Sequence, residues 1–155
     1  MKFRIVEGDL ESFIAIDREA SWSFVDEEVK QKLTFEEYCV QHRKLVETLY
    51  NLNMENKIFL AVSEEGKVLG AAWVGIRLDS VNYVPIGYLY DIEVIGEARG
   101  VGVGSALLAA IEKFCRARKV ERIALLTPVS NAVAIKWYEK RGFQVSRLYL
   151  EKKLD

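Results

Sequence analysis

The stretch GEARGVGVGSALLAAIEKF, residues 96–114, is the feature that most constrains how this chain folds. Glycines at positions 100, 102 and 104 alternate with valines, and residues 105–114 have the composition and spacing of a helix. Glycine permits unusual backbone conformations and lets another group approach the main chain. A glycine-rich turn that opens a helix leaves backbone N–H groups unpaired at the positive end of the helix dipole. The sequence therefore predicts an anion site here, most often one for phosphate.

Two familiar phosphate-binding loops do not match this stretch. The P-loop pattern requires a lysine after its last glycine, and none follows here. The dinucleotide-binding pattern requires Gly or Ala at position 105 or 107, where the chain has Ser105 and Leu107. The pattern that remains is R-x-x-G-x-G, formed by Arg99, Gly102 and Gly104, and it needs a second motif before it identifies a family.

Length and composition indicate one domain spanning residues 1–155. A net charge of −1 gives no basic surface for nucleic acid. The two cysteines, Cys39 and Cys115, form no CxxC pair, so we expect neither a disulfide nor a cysteine-based zinc site, and no metal. No apolar run approaches the roughly 20 residues of a membrane span, and charges come too early in residues 1–13 for us to expect a secretory segment there. We therefore expect a cytoplasmic protein that does not bind membranes.

Hydrophobic periodicity predicts the element order β-α-α-β-β-β-α-β-α-β, an α/β protein with a mixed sheet and helices on its faces. Asp9 can cap the first helix, and Thr34 with Glu37 forms a capping-box pattern for the second. Behind that box, an apolar stripe recurs at helical spacing: Tyr38, His42, Leu45, Leu49 and Leu52. Later strands are predicted at 86–95, at 121–129 and, closing the chain, at 143–154. A tight turn at residues 64–66 joins two central strands, and a short helix begins at Ser130 or Asn131 and stops at Gly142.

A second motif lies one strand after the glycines. In NAVAIKWYEKRGF, Asn131 and Tyr138 are seven residues apart, almost two helical turns, so they share a helix face. Together with IEVIGEARGVGVGSAL, this segment closely resembles the Gcn5-related N-acetyltransferase (GNAT) family, from about Gly87 to Phe143. The resemblance implies a three-layer fold whose central mixed, mostly antiparallel sheet is flanked by helices. It also implies that the bound phosphates are the pyrophosphate of acetyl-coenzyme A.

The resemblance further implies which residues bind the cofactor. The strand at Ile92, Glu93 and Val94 pairs through its backbone with the acetyl-pantetheine arm. The following loop donates backbone N–H groups to the pyrophosphate, beside Arg99, and Asn131 touches the arm. The loop residues are Gly100, Val101, Gly102, Val103, Gly104 and Ser105.

Two tyrosines fall at the family's catalytic positions. Tyr138 matches a tyrosine close to the thioester sulfur, where it can donate a hydrogen bond to the departing thiolate. A thiol has a pKa of about 8.5 and a tyrosine about 10, so full proton transfer is uphill while hydrogen bonding is not. Tyr88 falls where the family places a base, although neutral tyrosine is a weak one. Leu126 replaces a glutamate that some relatives use as the base.

Other polar residues have two interpretations each. Asp91 and Glu93 alternate onto one strand face, where they either order a water or a cationic substrate or form a solvated face. His42 is either a base or, as we favour, a partly buried packing residue.

The expected activity is transfer of acetyl to a primary amine, either a peptide N-terminus or a small amine, by direct attack. The alternative is a non-catalytic module that binds acyl-coenzyme A. We expect an amine acceptor as partner and consider a homodimer as well as a monomer.

Overall fold

The computed structural model describes residues 1–155. Its strands are β1 (Phe3–Glu7), β2 (Glu55–Ser63), β3 (Val68–Leu78), β4 (Pro85–Val94) and β5 (Ile123–Ala124). Its helices are α1 (Leu10–Trp22), α2 (Glu27–Lys30), α3 (Phe35–Leu52), α4 (Val103–Ala117) and α5 (Ala132–Glu139), with a short 3₁₀ turn at Gly96–Ala98. None of these helices combines the length and the apolar character that crossing a membrane requires.

The five strands form one sheet in the order β1-β2-β3-β4-β5. The first four strands pair antiparallel with their neighbours, and β5 pairs parallel with β4. The mixed, mostly antiparallel sheet expected from the sequence is therefore confirmed. The chain falls into two compact units: residues 1–125 hold the sheet and α1–α4, and residues 126–155 hold α5.

Helices pack on both faces of the sheet in the first unit, which gives three layers. Successive side chains of a strand point to opposite faces. On β3, Ala71 and Trp73 belong to a core cluster with Phe13 and Ile14 of α1. A side chain at Gly70 would instead meet Val103 and Leu107 of α4. The α1 layer therefore covers one face of the sheet and α4 covers the other.

Several helix ends and turns form for the reasons that the sequence indicates. The Asp9 side chain accepts the Ser12 N–H at 2.8 Å, which caps α1. Thr34 and Glu37 form the reciprocal capping box at the start of α3. Gly66 turns the β2–β3 hairpin with φ +86°, and Gly142, after α5, has φ +94°. Both glycines adopt the left-handed conformation that other residues rarely adopt.

Three expectations about secondary structure were wrong. The strand expected at 121–129 is restricted to Ile123–Ala124, because its pairing with β4 stops at Tyr88. No strand is present over residues 143–154, since an alternating pattern does not itself supply a pairing partner. The buried face of α3 contains His42 and Val46, whereas Leu45 and Leu52 are exposed. The predicted stripe repeats every seven residues, so it drifts around a helix that has 3.6 residues per turn.

Candidate active site

The glycine-rich loop connects the end of β4 to the start of α4. Gly100 and Gly102 have φ of +80° and +89°, so both adopt the left-handed conformation that the alternating glycines suggested. Gly102 is the N-cap of α4, and no side chain caps this helix. A Cβ built at Gly100 or Gly102 would meet no other atom within 4 Å. The first-turn N–H groups of Val103 and Gly104 therefore have no capping side chain, in a loop with open space around it.

Strand β4 has one paired edge and one largely open edge. On one side, β3 pairs with it from Pro85 to Val94. On the other side, β5 pairs only with Gly87 and Tyr88. From Leu89 onward no strand of the sheet pairs with that side of β4. An extended ligand can form main-chain hydrogen bonds with such an edge, as an added strand would.

A β-bulge in β4 changes which side chains face α1. Trp73 of β3 pairs with Asp91 and Val74 pairs with Leu89, so Tyr90 is an extra residue. The Tyr90 ring stacks on Trp73 with 3.9 Å between centroids, and its hydroxyl donates to Asn53. An extra residue bends a strand and redirects the side chains beside it. Asp91 consequently reaches Asp17 of α1.

Three carboxyl groups, one from α1 and two from β4, lie close together. Oxygen atoms of Asp17, Asp91 and Glu93 lie within 4.8 Å of one another. Asp17 is only 6% exposed, and its Oδ2 accepts from Ser21 Oγ at 2.9 Å and lies 2.8 Å from His42 Nε2. We call these four titratable residues, His42, Asp17, Asp91 and Glu93, the acidic cluster. Asp91 and Glu93 lie on one face of β4, as expected, and His42 is buried beside Asp17.

Burial sets the acid–base behaviour of the acidic cluster. Burial, reinforced by the neighbouring Asp17 and Glu93 carboxyls, raises the pKa of Asp91 well above its usual range. Burial also raises the pKa of Glu93. Burial opposes ionisation of Asp17 too, but hydrogen bonds with His42, Asp91 and Ser21 outweigh it and hold the pKa of Asp17 below its ordinary value. The cluster therefore combines Asp17, which ionises more readily than an ordinary aspartate, with Asp91 and Glu93, which accept a proton more readily than ordinary carboxylates.

A groove of about 570 Å³ lies between α1 and the end of β4. The side of the groove formed by α1 includes Ser12, Ile16 and Glu19, and the other side includes Glu93 and Arg99. Glu93 is the only member of the acidic cluster that lines it. The groove thus connects the acidic cluster to the loop that follows β4.

Tyr88 lies on β4 near the point where β5 stops. The Arg77 guanidinium lies 3.6 Å from the centroid of its ring, and the Tyr90 ring lies 4.9 Å away. Burial raises the pKa of the Tyr88 hydroxyl, so it is protonated at neutral pH. A protonated phenol can orient a water or a carbonyl group, but it does not readily accept a proton.

The second unit contains the other two predicted site residues. The side chain of Asn131 accepts the Ala134 N–H at 3.3 Å, so Asn131 is the N-cap of α5. The Tyr138 ring packs edge-on against Trp137 and Phe143, with centroids 5.1 and 5.3 Å away. These contacts fix the ring orientation of Tyr138 within its own unit.

Residues 17–143 match the family described as the acetyltransferase (GNAT) family. The chain belongs to the GNAT family. This match includes β4, the glycine-rich loop and α5, and it confirms the family that the two motifs indicated.

Solved structures share the fold of this GNAT domain. A Pyrococcus furiosus protein provisionally assigned as an acetyl transferase is 41% identical, with a TM-score of 0.90, over 99% of this chain and 100% of that one. The aminoglycoside N-acetyltransferase AAC(6')-Iy in complex with CoA has a TM-score of 0.66 at 19% identity, over 98% of this chain and 100% of that one. At that identity the second similarity shows the fold alone.

Curated relatives include mycothiol acetyltransferases. That of Saccharomonospora viridis is 36% identical over 89 residues, 56% of this chain and 29% of that protein. That of Acidothermus cellulolyticus is 26% identical over 147 residues, 88% of this chain and 42% of that protein. The GNAT domain described here thus spans less than half the length of these two relatives.

Sequence reasoning missed Asp17 and the bulge at Tyr90. One signal for Asp17 was available, since it follows Phe13 by four residues and Ile14 by three, on the buried face of α1. An acid on an apolar helix face needs a partner. His42 on the apolar face of α3 is that partner, 25 residues further along the chain of this GNAT domain.

Proposed function

We propose that this GNAT domain is an N-acetyltransferase that moves the acetyl group of acetyl-coenzyme A to a primary amine by direct attack. One observation carries the proposal: a single loop joins a strand with an open edge to the uncapped, glycine-rich start of α4. A helix N-terminus of this kind suits a pyrophosphate, and an open strand edge suits an extended amide-containing arm.

The cofactor-binding roles are part of this proposal. Ile92, Glu93 and Val94 pair with the pantetheine arm through their backbones, and the loop from Gly100 to Ser105 holds the pyrophosphate. The guanidinium of Arg99 donates to the Val94 carbonyl at 3.3 Å, which places a positive charge where the strand meets the loop. Asn131 contacts the arm. Coenzyme A then leaves as a thiolate, which Tyr138 stabilises, while Tyr88 orients the reacting groups.

The acceptor is a primary amine, and we favour a small amine or a peptide N-terminus. The proteins that resemble this chain include enzymes named for mycothiol and for aminoglycosides, both small molecules. The groove beside β4 supports an amine acceptor, because Glu19 and Glu93 line it and attract a cationic group.

Calorimetric titration with acetyl-coenzyme A tests the cofactor site. Gly102→Val forces a branched side chain into a left-handed backbone conformation and into the space where the pyrophosphate binds. We expect this variant to remain folded and to lose measurable binding. Gly96→Ala is the matched control, because Gly96 has no neighbour within 4 Å and no left-handed φ, so wild-type affinity is expected.

Turnover separates an enzyme from a module that only binds coenzyme A. Wild-type protein is incubated with acetyl-coenzyme A and a panel of amino acids, peptides, polyamines and aminoglycosides, and free thiol is followed. Acetylation of at least one amine supports the enzyme. Tight cofactor binding without turnover on any amine supports the binding module, and unchanged affinity in Gly102→Val contradicts the loop assignment.

A further inference from the structure

We propose that the Glu93 side chain accepts the proton of the acceptor amine, and that Asp91, Asp17 and His42 position this carboxylate for the step. This inference rests on the proposed function, and it assigns to the Glu93 side chain a role separate from the backbone pairing proposed above. Glu93 is thereby a catalytic residue, whereas the other three members of the acidic cluster are positioning residues.

Glu93 is the member of the acidic cluster that lines the groove, which makes it the candidate base. It lines the groove between α1 and β4, together with Val94, Gly96 and Arg99, at the strand that leads into the glycine-rich loop. Asp17 and His42 are only 6% and 8% exposed and do not line the groove. An amine that enters the groove therefore meets Glu93 first, and the rest of the cluster lies behind it.

The spacing of the carboxyls favours a proton held within the cluster. Carboxyl oxygens of Asp91, Asp17 and Glu93 lie within 4.8 Å of one another. Ionised carboxylates this close repel one another, and burial raises the pKa of Asp91 well above its usual range, which favours a proton on Asp91 that it can donate to a neighbouring carboxylate. The Oδ1 atom of Asp17 is buried and receives no N–H or O–H donor, which leaves it available to the proton of Asp91.

Asp17 is held in turn from the opposite side of the cluster. Its Oδ2 accepts from Ser21 and contacts His42 Nε2, whereas His42 Nδ1 is buried without a hydrogen-bond partner. A buried polar atom left without a partner is costly. The contact between Nε2 and Asp17, which fixes the orientation of the imidazole, accounts for this cost. Asp17 and Asp91 consequently have little freedom to move, and Glu93 is held by its contact with Asp91.

The charges around Glu93 make it a better base than an exposed glutamate. Burial raises its pKa, and the negative Asp17 raises it further, whereas the hydrogen bond from Asp91 and the positive Arg99 lower it. The other ionisable groups that face the cluster or groove are Tyr38 and His42 from α3 and Glu19 from α1. A carboxylate whose pKa lies nearer neutrality accepts a proton from an ammonium group more readily.

The proton balance of the step is as follows. An acceptor R–NH₃⁺ gives one proton to the Glu93 carboxylate, and the resulting amine attacks the thioester carbonyl carbon, so that a C–N bond forms. The nitrogen loses a second proton to water as the C–S bond breaks and coenzyme A departs as a thiolate. That thiolate takes up one proton, Glu93 returns its own to solvent, and the net products are the acetamide, coenzyme A and one released proton.

Single-turnover acetyl transfer as a function of pH tests the role of Glu93. The acceptor is any amine that the wild-type enzyme acetylates in the panel above. Glu93→Gln retains the size and polarity of the side chain but cannot accept a proton. We expect its transfer rate to fall about 10²-fold or more near neutral pH, with the fall shrinking as rising pH deprotonates the free amine. The Kd for acetyl-coenzyme A stays within about threefold of wild type, since backbone contacts bind the arm.

Glu19→Gln is the comparison variant, because Glu19 lines the same groove outside the acidic cluster. It removes one negative charge from the groove, so any change should be in KM and not in the pH dependence of the transfer rate. Asp17→Asn tests positioning. This variant should shift the acid limb of the pH profile of the transfer rate relative to wild type. A ¹³C-carboxyl NMR titration without acceptor should show a matching shift in the pKa of Glu93.

The outcomes distinguish this inference from the proposed function. If the wild-type enzyme acetylates no amine, the proposed function fails. If the wild-type enzyme is active but Glu93→Gln transfers acetyl within about threefold of its rate at every pH, Glu93 is not the base and only this inference fails. An Asp17→Asn profile identical to wild type, with an unchanged Glu93 titration, contradicts the positioning role.

Discussion

At the scale of single residues, the chemistry of Asp91 depends on the extra residue before it. Without the bulge at Tyr90, a regular strand would direct residues 89, 91 and 93 to one face, the face on which Leu89 is buried. The bulge instead directs Asp91 toward Asp17 on α1. One inserted residue therefore decides whether this carboxyl belongs to the acidic cluster.

Tyr138 provides the residue-scale test of the leaving-group step. Tyr138→Phe keeps the ring contacts with Trp137 and Phe143 and removes only the hydroxyl. If that hydroxyl stabilises the departing thiolate, kcat falls about 10²-fold while the Kd for acetyl-coenzyme A barely changes. Single-turnover mixing measures the chemical step directly, so slow product release cannot mask it.

Tyr149→Phe is the control, because Tyr149 is exposed on the C-terminal segment. A Tyr138→Phe rate within about threefold of wild type would leave Tyr138 a packing residue.

At the scale of elements, Gly70 determines how closely α4 approaches the sheet. A Cβ at Gly70 would lie 2.7 Å from the carbonyl oxygen of Glu93, and 3.1 and 3.2 Å from side-chain atoms of Val103 and Leu107. The first contact involves backbone, which cannot rotate away. The absence of a side chain at Gly70 of β3 therefore sets the position of both β4 and the start of α4. The glycine-rich loop runs between these two elements.

Gly70→Ala consequently changes stability and cofactor binding together. The added methyl displaces β4 or α4, and overpacking of this kind costs about 1–3 kcal/mol of unfolding free energy. We expect a lower urea midpoint and a weaker Kd for acetyl-coenzyme A. Gly96→Ala adds the same methyl group where no neighbour lies within 4 Å, so both quantities should remain near wild type. A Gly70→Ala protein as stable as wild type would show that the contact relaxes without cost.

Elements whose signals are local were predictable, and those that depend on distant partners were not. The cap at Asp9 and the capping box at Thr34 involve residues three apart, and both formed as expected. The family motifs likewise located the glycine-rich loop. The contact between Asp17 and His42 spans 25 residues, and the length of β5 depends on where β4 turns away from it. Neither can be read from a pattern within one segment.

At the scale of the whole molecule, the acidic cluster makes stability depend on pH. A carboxyl whose pKa is raised in the folded protein contributes stability that is fully present below its unfolded pKa of about 3.9 and is lost as pH rises through the folded pKa. Asp91 is such a group. Asp17 behaves oppositely, since its lowered pKa contributes stability that is lost as pH falls. The cluster therefore has opposing effects on stability at the two ends of the pH range.

Asp91→Asn isolates the first of these effects. The amide can still donate to Asp17 and Glu93 but cannot ionise. We expect the unfolding free energy of this variant, relative to wild type, to increase as pH rises from about 3.9 toward the raised pKa of folded Asp91, by about 1.4 kcal/mol for each pH unit of that interval. Urea denaturation at several pH values measures it. Asp26→Asn, at the exposed start of α2, should show no such trend. A pH-independent difference for Asp91→Asn would contradict the buried, protonated state of Asp91.

The open edge of β4 also affects the tendency of the protein to aggregate. An unpaired strand edge is a template on which another chain can add a strand, the first step of aggregation. The bulge at Tyr90 interrupts that template, because an incoming strand would meet an irregular edge. The irregularity that directs Asp91 toward α1 therefore also protects the open edge of the unliganded protein. A variant in which this strand is made regular should aggregate more readily.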